Sequence, residues 1–412
     1  MNILVLNAGS SSQKSCLYQL QGSLLPDHAP QPIWSGSIDW GRQPGRGGLK
    51  AEAGDQTVRQ SLSAENHAEG IPVLLQTLIE GSTQVLDSFD QIDIIGHRVV
   101  HGGETYQEPV VITAAVKDAI QDLSALAPAH NPANLAGIQI CEAVLPAIPQ
   151  VAVFDTAFHA QMPAAATTYP GSYEWLAQGL RRYGFHGLSH DYCSHRIHQI
   201  LAARNPQHEV ATFRILSCHL GNGCSLAAIQ GDHSIDTTMG LTPLEGLMMG
   251  SRSGSIDPGL LIHLLKQGME IKALDHLLNR ESGLKGLSGL SSDMRTVLAA
   301  AEQGDPRAQL ALEVYLHRLR REMGGMIASL GGLDCLLFTG GVGENAPWIR
   351  ERACQGFDFL GLRLDPALNT AQGGAEREIS ATDSTIPIWV IHTEEDWVIA
   401  KACARLHSGL AN

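Results

Sequence analysis

Short apolar runs alternate with loops rich in Gly, Ser and Asn along most of this chain. Ile3–Leu6 is the first run. Asn7, Gly9, three serines and Lys14 follow it, and a second apolar stretch ends at Leu20, which predicts a β-hairpin-like unit over 2–20. Residues 21–70 are rich in Gly, Pro, Gln and charge and read as a surface excursion with one short strand near Ile33–Asp39. Helical spacing marks 71–88, 113–127 and 133–145. "IDIIGHRVVHGG" is a short β-rich run, and "QVAVFDTAFH" is a buried strand running into a loop. "RILSCHLGNGCSLAAIQ" repeats the layout of the opening stretch: apolar strand, Asn/Gly/Ser loop, apolar strand. The two units differ in their letters, yet the shared layout predicts an internal duplication. Leu312, Tyr315, Leu316, Leu319, Met323, Met326, Ile327 and Leu330 line one face of a long helix ended by Gly331-Gly332. "DCLLFTGGVGENAPWIRERA" predicts a strand, a Gly-rich turn and a helix with Asn345 as N-cap and Pro347 in its first turn. Strands alternating with helices make the class α/β.

The length of 412 residues predicts two or three domains. Lys and Arg number 28 against 42 Asp and Glu, a net charge of −14, which argues against general nucleic-acid binding. An anionic substrate stays possible, because a few local cations can dominate one cleft. None of the eight cysteines forms a C-x-x-C pair and most sit among apolar residues, as reduced thiols do. No basic segment precedes the first apolar run, and no apolar stretch is long enough to cross a bilayer; a cytoplasmic protein is expected.

The loops carry the chemistry. Ser10, Ser11 and Ser12 with Lys14 offer hydroxyl and backbone donors and one cation, suited to phosphate oxygens, although an ordinary hairpin turn would look the same. "HLGNG" at 219–223 and "GGVGEN" ending at Asn345 are further strand-terminal loops that a phosphate or nucleotide can approach closely, and either can equally be a plain tight turn. Arg98 and Arg252 stand in segments almost bare of other charge, where an arginine has either an anion to bind or an internal carboxylate to pair with. Asp155 ends a strand, the usual position for a functional carboxylate, or else a loop cap. His130 and His186 lie in turns and could be packing histidines. His186, His190, His195 and His198 lack the spacing and Cys partners of a zinc site.

Ten segments in order resemble the acetate kinase (acetokinase) family over nearly the whole chain: "NAGSSSQK", "GHRVVHGGE", "APAHNP", "VFDTAFH", "RRYGFHGLSH", "HLGNG", "MMGSRSGSIDP", "SSDMR", "TGGVGEN" and "HTEEDWVIA". The resemblance implies two RNase H-like domains of ββαβαβα type around a nucleotide cleft. The first would be 1–153 completed by 392–412. The second would be 154–391, carrying nucleotide binding and dimerisation. It further implies Mg²⁺, replaceable by Mn²⁺, held by Asn7 and Glu395, and phosphate contacts from Ser10, Ser12 and Lys14. Nucleotide contacts would come from His219, Leu220, Gly221, Asn222 and Gly223, from Asp293, Met294 and Arg295, and from Gly341, Val342, Gly343, Glu344 and Asn345. Arg98 would hold the substrate carboxylate, with Val100, Phe185 and Pro243 around its methyl group and His130 alongside. Asp155, His186 and Arg252 would form the catalytic centre. The implied reaction is a reversible in-line transfer from ATP to acetate in a homodimer. Acetate is ionised at neutral pH and needs no general base, so Asp155 would organise Arg252 or the metal and its water.

Four positions depart from the family pattern: Gln13 for an apolar residue, Ser255 for an acid, Ala129 for leucine, and "TEEDW" for "TNEEL", which leaves Glu394 as an alternative metal carboxylate. Ala129 enlarges the pocket, so a propionate or butyrate kinase is the alternative reading, while Val100 argues for acetate. A sugar or polyol kinase, or a nucleotide-switched scaffold, would not need Arg98, His186 and Arg252 together.

Overall fold

In the computed structural model of the protein, β1 (Asn2–Ala8) and β2 (Ser12–Gln19) form the expected antiparallel hairpin, with Leu4 opposite Leu17 and Ala8 opposite Gln13. All residues are described except 9–11, 23–24, 27, 41–46, 63–66, 129, 372 and 411–412, and the side chains of Ser12, His67, Ala68 and Leu410. The roles expected of Ser10 and Ala129 therefore fall outside the described residues, as does the side chain of Ser12. Contacts divide the chain into two units, Met1–Ala157 with Glu394–Asn412, and Phe158–Thr393.

The first unit is built on an eight-stranded sheet in the order β5-β4-β3-β2-β1-β6-β8-β7. Its further strands are β3 (Trp34–Asp39), β4 (Gly47–Ala53), β5 (Gln56–Leu62), β6 (Ile94–Val99), β7 (Val110–Val111) and β8 (Gln150–Phe154). β1, β6 and β8 run parallel. Leu4, Leu6, Leu17, Trp34 and Ile38 face a core completed by Ile71, Leu74 and Leu75 of helix His67–Gln76. Each such side chain contributes roughly 1.5–3 kcal/mol by burial. Helix Glu395–Leu410 lies on β1 and β6. Gly96 makes that close approach possible: a Cβ there would come within 2.5 Å of Ile399 and 2.6 Å of Cys403 Sγ.

The second unit has a six-stranded sheet, β11-β10-β9-β12-β14-β13. Its strands are β9 (Arg214–Leu220), β10 (Cys224–Gln230), β11 (His233–Thr237), β12 (Cys335–Thr339), β13 (Glu376–Glu378) and β14 (Ile388–Ile391). In both units the strand that starts the sheet's chain pairs antiparallel with the next on one side and parallel with a later strand on the other. The duplication read from the sequence is thus a repeat of sheet topology. No helix among the described residues is long and apolar enough to cross a membrane, and all eight cysteines are buried.

Several boundaries differ from expectation. The excursion 21–70 holds β4 and β5 besides β3. These strands escape the hydrophobic pattern because only Leu49, Ala51 and Leu62 of their apolar side chains are fully buried. The helix expected over 71–88 spans His67–Gln76 instead, and Leu78 and Leu86 are buried from irregular backbone around Gly81, whose φ is +85°. The long helix starts earlier, at Pro306, where Asp305 accepts from Arg307 N and Ala308 N, and it ends at Gly331 as predicted. Asn345 is not the N-cap of the next helix. Gly340 (φ +77°) lets a short helix, Gly340–Asn345, begin directly after β12, and Ala346 precedes Pro347 as the cap. Phe154 and Asp155, expected in the second domain, belong with the first: β8 pairs through Phe154 with Val99, and Asp155 N donates to Val99 O.

Candidate functional site

Parallel pairing of β6 with β8 brings Arg98 and Asp155 together at the strands' C-terminal ends. Arg98 Nε donates to both Asp155 oxygens, at 3.1 and 3.2 Å, and Nη2 donates to Oδ2 at 2.5 Å. Asp155 is 1% exposed, so a fork of charge-assisted bonds compensates a fully desolvated carboxylate. Arg98 Nη1 donates to Asn7 Oδ1 at 3.2 Å and lies 3.7 Å from Glu395 Oε2. Asn7 Nδ2 donates onward to Asp396 Oδ1 at 2.8 Å and to Glu395 Oε2 at 3.4 Å. Asn7, Arg98, Asp155, Glu395 and Asp396 are therefore one connected set. Burial works against the Arg98 charge, but Asp155, then Glu395, overcome it and hold the guanidinium firmly protonated. Burial pushes the Asp396 carboxyl up, partly offset by the Asn7 bond. Asp155 thus fixes the orientation of Arg98.

Lys14 stands opposite Asn7 in the hairpin and is exposed. It lines an open cavity of about 250 Å³ with Lys50, Glu52, Glu394 and Asp396. Gln13, by contrast, is wholly buried; its amide nitrogen donates to Lys14 O at 2.7 Å, and its Oε1 has no hydrogen-bond partner among the described residues. Val100 is buried, and His130 is half-buried just ahead of helix Asn131–Val144. Two residues missed in the sequence fix this stretch. Asn131 exchanges bonds with His101 N and O, both 3.1 Å, and Asn134 Oδ1 accepts from Val100 N at 3.2 Å. Their spacing of three on one helix face was the available signal.

In the second unit, helix Gly187–Arg204 starts from His186, the one non-glycine residue with positive φ (57°) among the described residues. Such a conformation costs energy and concentrates at functional sites. Its ring stacks on His219 at 4.2 Å, and His219 Nδ1 lies 2.8 Å from Ser189 Oγ. A Cβ on Gly223 would stand 3.3 Å from His186 Nε2 and 3.5 Å from Arg252 Nη1, so both cationic-capable groups flank this bare turn. Arg252 is held by Pro243 O at 3.0 Å and Met249 Sδ at 3.6 Å, and no carboxylate pairs with it among the described residues. Burial, then Arg280, lowers its pKa. Phe185 is buried and hands its carbonyl to His159 Nε2 at 3.2 Å. Ser255 Oγ, in place of the family's acid, accepts from Gly246 N at 3.0 Å.

The nucleotide-type segments collect in this unit. Leu220 and Thr339 end the paired parallel strands β9 and β12. Gly221 N donates to Gly223 O, and Gly250 N to Asn222 O, both at 3.0 Å. A Cβ on Gly250 would meet Ser292 O at 2.8 Å, which sets Asp293 and its helix Met294–Glu302 beside the same turn. Arg295 is turned back onto Asp293 through Nε at 3.0 Å and Nη2 at 2.6 Å. Gly341, Val342 and Gly343 lie in the short helix after β12. Glu344 Oε1 accepts from Gly340 N at 2.9 Å, while Asn345 Nδ2 donates to Gly341 O at 3.0 Å. Beneath them the wholly buried Arg350, which the sequence reading passed over, donates to Gly343 O and Glu344 O, both at 2.8 Å.

The oxygen donors of Asn7, Glu395 and Asp396 suit a hard cation that keeps waters and takes further oxygens from phosphate. Among the described residues no group of three or more His, Cys, Asp or Glu side chains could hold a metal by itself. The first unit therefore brings together Asn7, Arg98, Asp155, Glu395 and Asp396, and the second places His186 and Arg252 beside the Gly223 turn.

The Acetokinase family model matches residues 2–401. An acetate kinase of Gloeobacter violaceus is 54% identical over 405 residues, covering 98% of each chain. The crystal structure of Porphyromonas gingivalis acetate kinase superposes with a TM-score of 0.87 at 38% identity, covering 98% of this chain and 99% of that one. That of a propionate kinase from Francisella tularensis gives 0.87 at 37% identity with the same coverage.

Proposed function

The chain belongs to the acetokinase family, and from that premise we propose that it transfers a phosphoryl group in line from ATP to acetate, reversibly, giving ADP and acetyl phosphate. The observation that carries this reading is Arg252, a half-buried guanidinium beside His186 and a bare glycine turn, with no carboxylate partner among the described residues. A charge so placed is matched by a mobile anion. Arg252 and His186 meet the negative charge on the transferring phosphoryl group. Arg98, oriented by Asp155, holds the acetate carboxylate, and Val100, Phe185 and Pro243 surround its methyl group with His130 alongside. The nucleotide lies on 219–223, 293–295 and 341–345, and Ser10, Ser12 and Lys14 approach its phosphates. Asn7 and Glu395 hold Mg²⁺, for which Mn²⁺ can substitute. When bound, the ion neutralises phosphate charge. Asp396 fixes Asn7 for that task.

No residue needs to take a proton from acetate, so Asp155 serves by orienting Arg98. The protein acts in the cytoplasm, as eight buried thiols suit. It works as a homodimer, supported by the exposed Leu260, Ile262, Leu265 and Ile271 on consecutive helices of the second unit, and sedimentation velocity reads this directly. Propionate is the second reading, favoured by the equal fit to a propionate kinase. One methylene is worth about 1–3 kcal/mol of discrimination.

The test is acyl-phosphate formation, trapped with hydroxylamine, from ATP, Mg²⁺ and each of acetate, propionate, butyrate and glycerol. Acetate is expected to give the highest kcat/KM, and Arg252→Ala to abolish turnover. A lead by propionate would overturn the substrate, and an active Arg252→Ala would overturn the site.

A further inference from the structure

Strands β9 and β10 each carry a wholly buried serine, Ser217 and Ser225. Hydroxyls in such places need partners, and both find one buried imidazole. His190 Nδ1 lies 2.9 Å from Ser217 Oγ, and its Nε2 lies 2.8 Å from Ser225 Oγ. Ser225 Oγ in turn lies 2.9 Å from His186 Nδ1. The four groups make a single chain, Ser217–His190–Ser225–His186, from the core to the Gly223 turn.

Burial, with His159 and His219 nearby, keeps His190 neutral. A neutral imidazole has one N–H and one bare nitrogen, and a hydroxyl has one proton and two lone pairs, so three orderings keep every bond. One has Ser225 accept from both histidines and strands its own buried proton, which is costly. The other two leave Ser225 donating. In the first, Ser217 donates to His190 Nδ1, His190 Nε2–H donates to Ser225, and Ser225 donates to His186 Nδ1. His186 then carries its proton on Nε2, facing the turn. In the second every bond reverses, and a neutral His186 presents a bare Nε2 there. The second ordering also strands the Ser217 proton, because Ser217 Oγ has no other partner among the described residues. An unpaired donor in the core is costly, so the first ordering is selected from the far end of the chain.

We propose that Ser225, ordered by His190 and Ser217, is a positioning residue that sets the tautomer of His186, so that an N–H rather than a lone pair meets the phosphoryl oxygens. The inference rests on the role given to His186 above. The test is ¹⁵N NMR of histidine-labelled full-length protein at neutral pH, with kinetics alongside. The natural chain should show His186 protonated on Nε2 and bare on Nδ1. Ser225→Ala should add the other tautomer and lower kcat about three- to tenfold, with KM for acetate and ATP unchanged within about twofold. Ser225→Thr, which keeps the hydroxyl, should restore both signals. Should Ser225→Ala not fold, Ser217→Ala reads the same chain from its far end, and the tautomer should again become mixed. An Nδ1-protonated His186 in the natural chain, or a tautomer unmoved by either alanine, overturns the proposal. A fully active His186→Ala with a Ser225-sensitive tautomer would instead overturn the catalytic reading of His186.

Discussion

Arg98 and Arg252 come from similar stretches of sequence, apolar or Gly/Ser-rich and almost uncharged, yet the fold treats them differently. Arg98 is largely committed: Asp155 accepts from its Nε and Nη2, Asn7 Oδ1 accepts from Nη1 and Glu395 lies 3.7 Å away, which leaves one N–H on each Nη for a ligand. Arg252 has a carbonyl and a thioether. The first guanidinium is held in a fixed orientation before any ligand arrives. The second keeps most of its donors for whatever enters. Sequence surroundings alone could not separate a preorganised arginine from an unsatisfied one, and the difference decides what a mutation does.

The largest contrast should appear in stability. Asp155→Ala leaves a mostly buried cation with only the more distant Glu395, and breaking one side of a buried pair costs about 3–5 kcal/mol. Arg252→Met removes a partly desolvated charge that no carboxylate among the described residues offsets, so its stability should be unchanged within about 1 kcal/mol, or improved. Its turnover should still drop by about 10²–10³. Urea unfolding and the hydroxylamine assay on the two variants separate these effects. If Arg252→Met unfolds as readily as Asp155→Ala, Arg252 is a structural residue and the contrast fails.

The two units should also differ in acid. His97 in the first unit and His159 in the second are pushed down to about 4 by burial, and His190 falls well below the usual value for the same first reason. Their folded pKa values lie below the unfolded one, so the unfolded chain binds more protons in this range. The stability they support is complete above the unfolded pKa of about 6.5 and is lost as pH falls toward 4. Each costs about 1.4 kcal/mol per pH unit on that limb. Among the described residues the second unit carries three such groups, because burial lowers His198 as well, and the first carries one, so β9 and β10 should lose hydrogen-exchange protection at higher pH than β6 and β8. Earlier loss in β6 and β8 would break the comparison.

What the sequence made legible follows the range of the interactions. The hairpin, the repeat of its layout and the long helix are local patterns, and they survive in the structure. Arg98 and Asp155 were both visible as singular residues, but their pairing depends on β6 lying beside β8. Asp396 was passed over because its partner, Asn7, is at the other end of the chain. Ser217 and Ser225 did leave a signal, as polar residues inside strands buried on both faces. Asn345 misled because it suits an N-cap by residue type, while Gly340 upstream had already started a helix.

Arg350 sharpens the contrast between the two arginines with a third kind of site. It is wholly buried, and among the described residues no carboxylate meets its charge; Gly343 O, Glu344 O, Asn369 O and Asn369 Oδ1 accept its bonds. Burial and then Arg377 bring its pKa down to about 10, so it stays charged at neutral pH. The carbonyls of Gly343 and Glu344 belong to the turn assigned to the nucleotide, so the guanidinium fork sets that backbone from below. Arg350→Lys keeps a cation, but its single ammonium cannot span acceptors placed for a planar fork. Leaving one or two of them unpaired should cost about 1–3 kcal/mol. If, as proposed, the disturbed backbone serves the nucleotide alone, KM for ATP should rise while KM for acetate stays put. A rise in the acetate KM of equal size would mean that Arg350 supports the unit as a whole, and that a guanidinium bound only by carbonyls behaves like Arg98 after all.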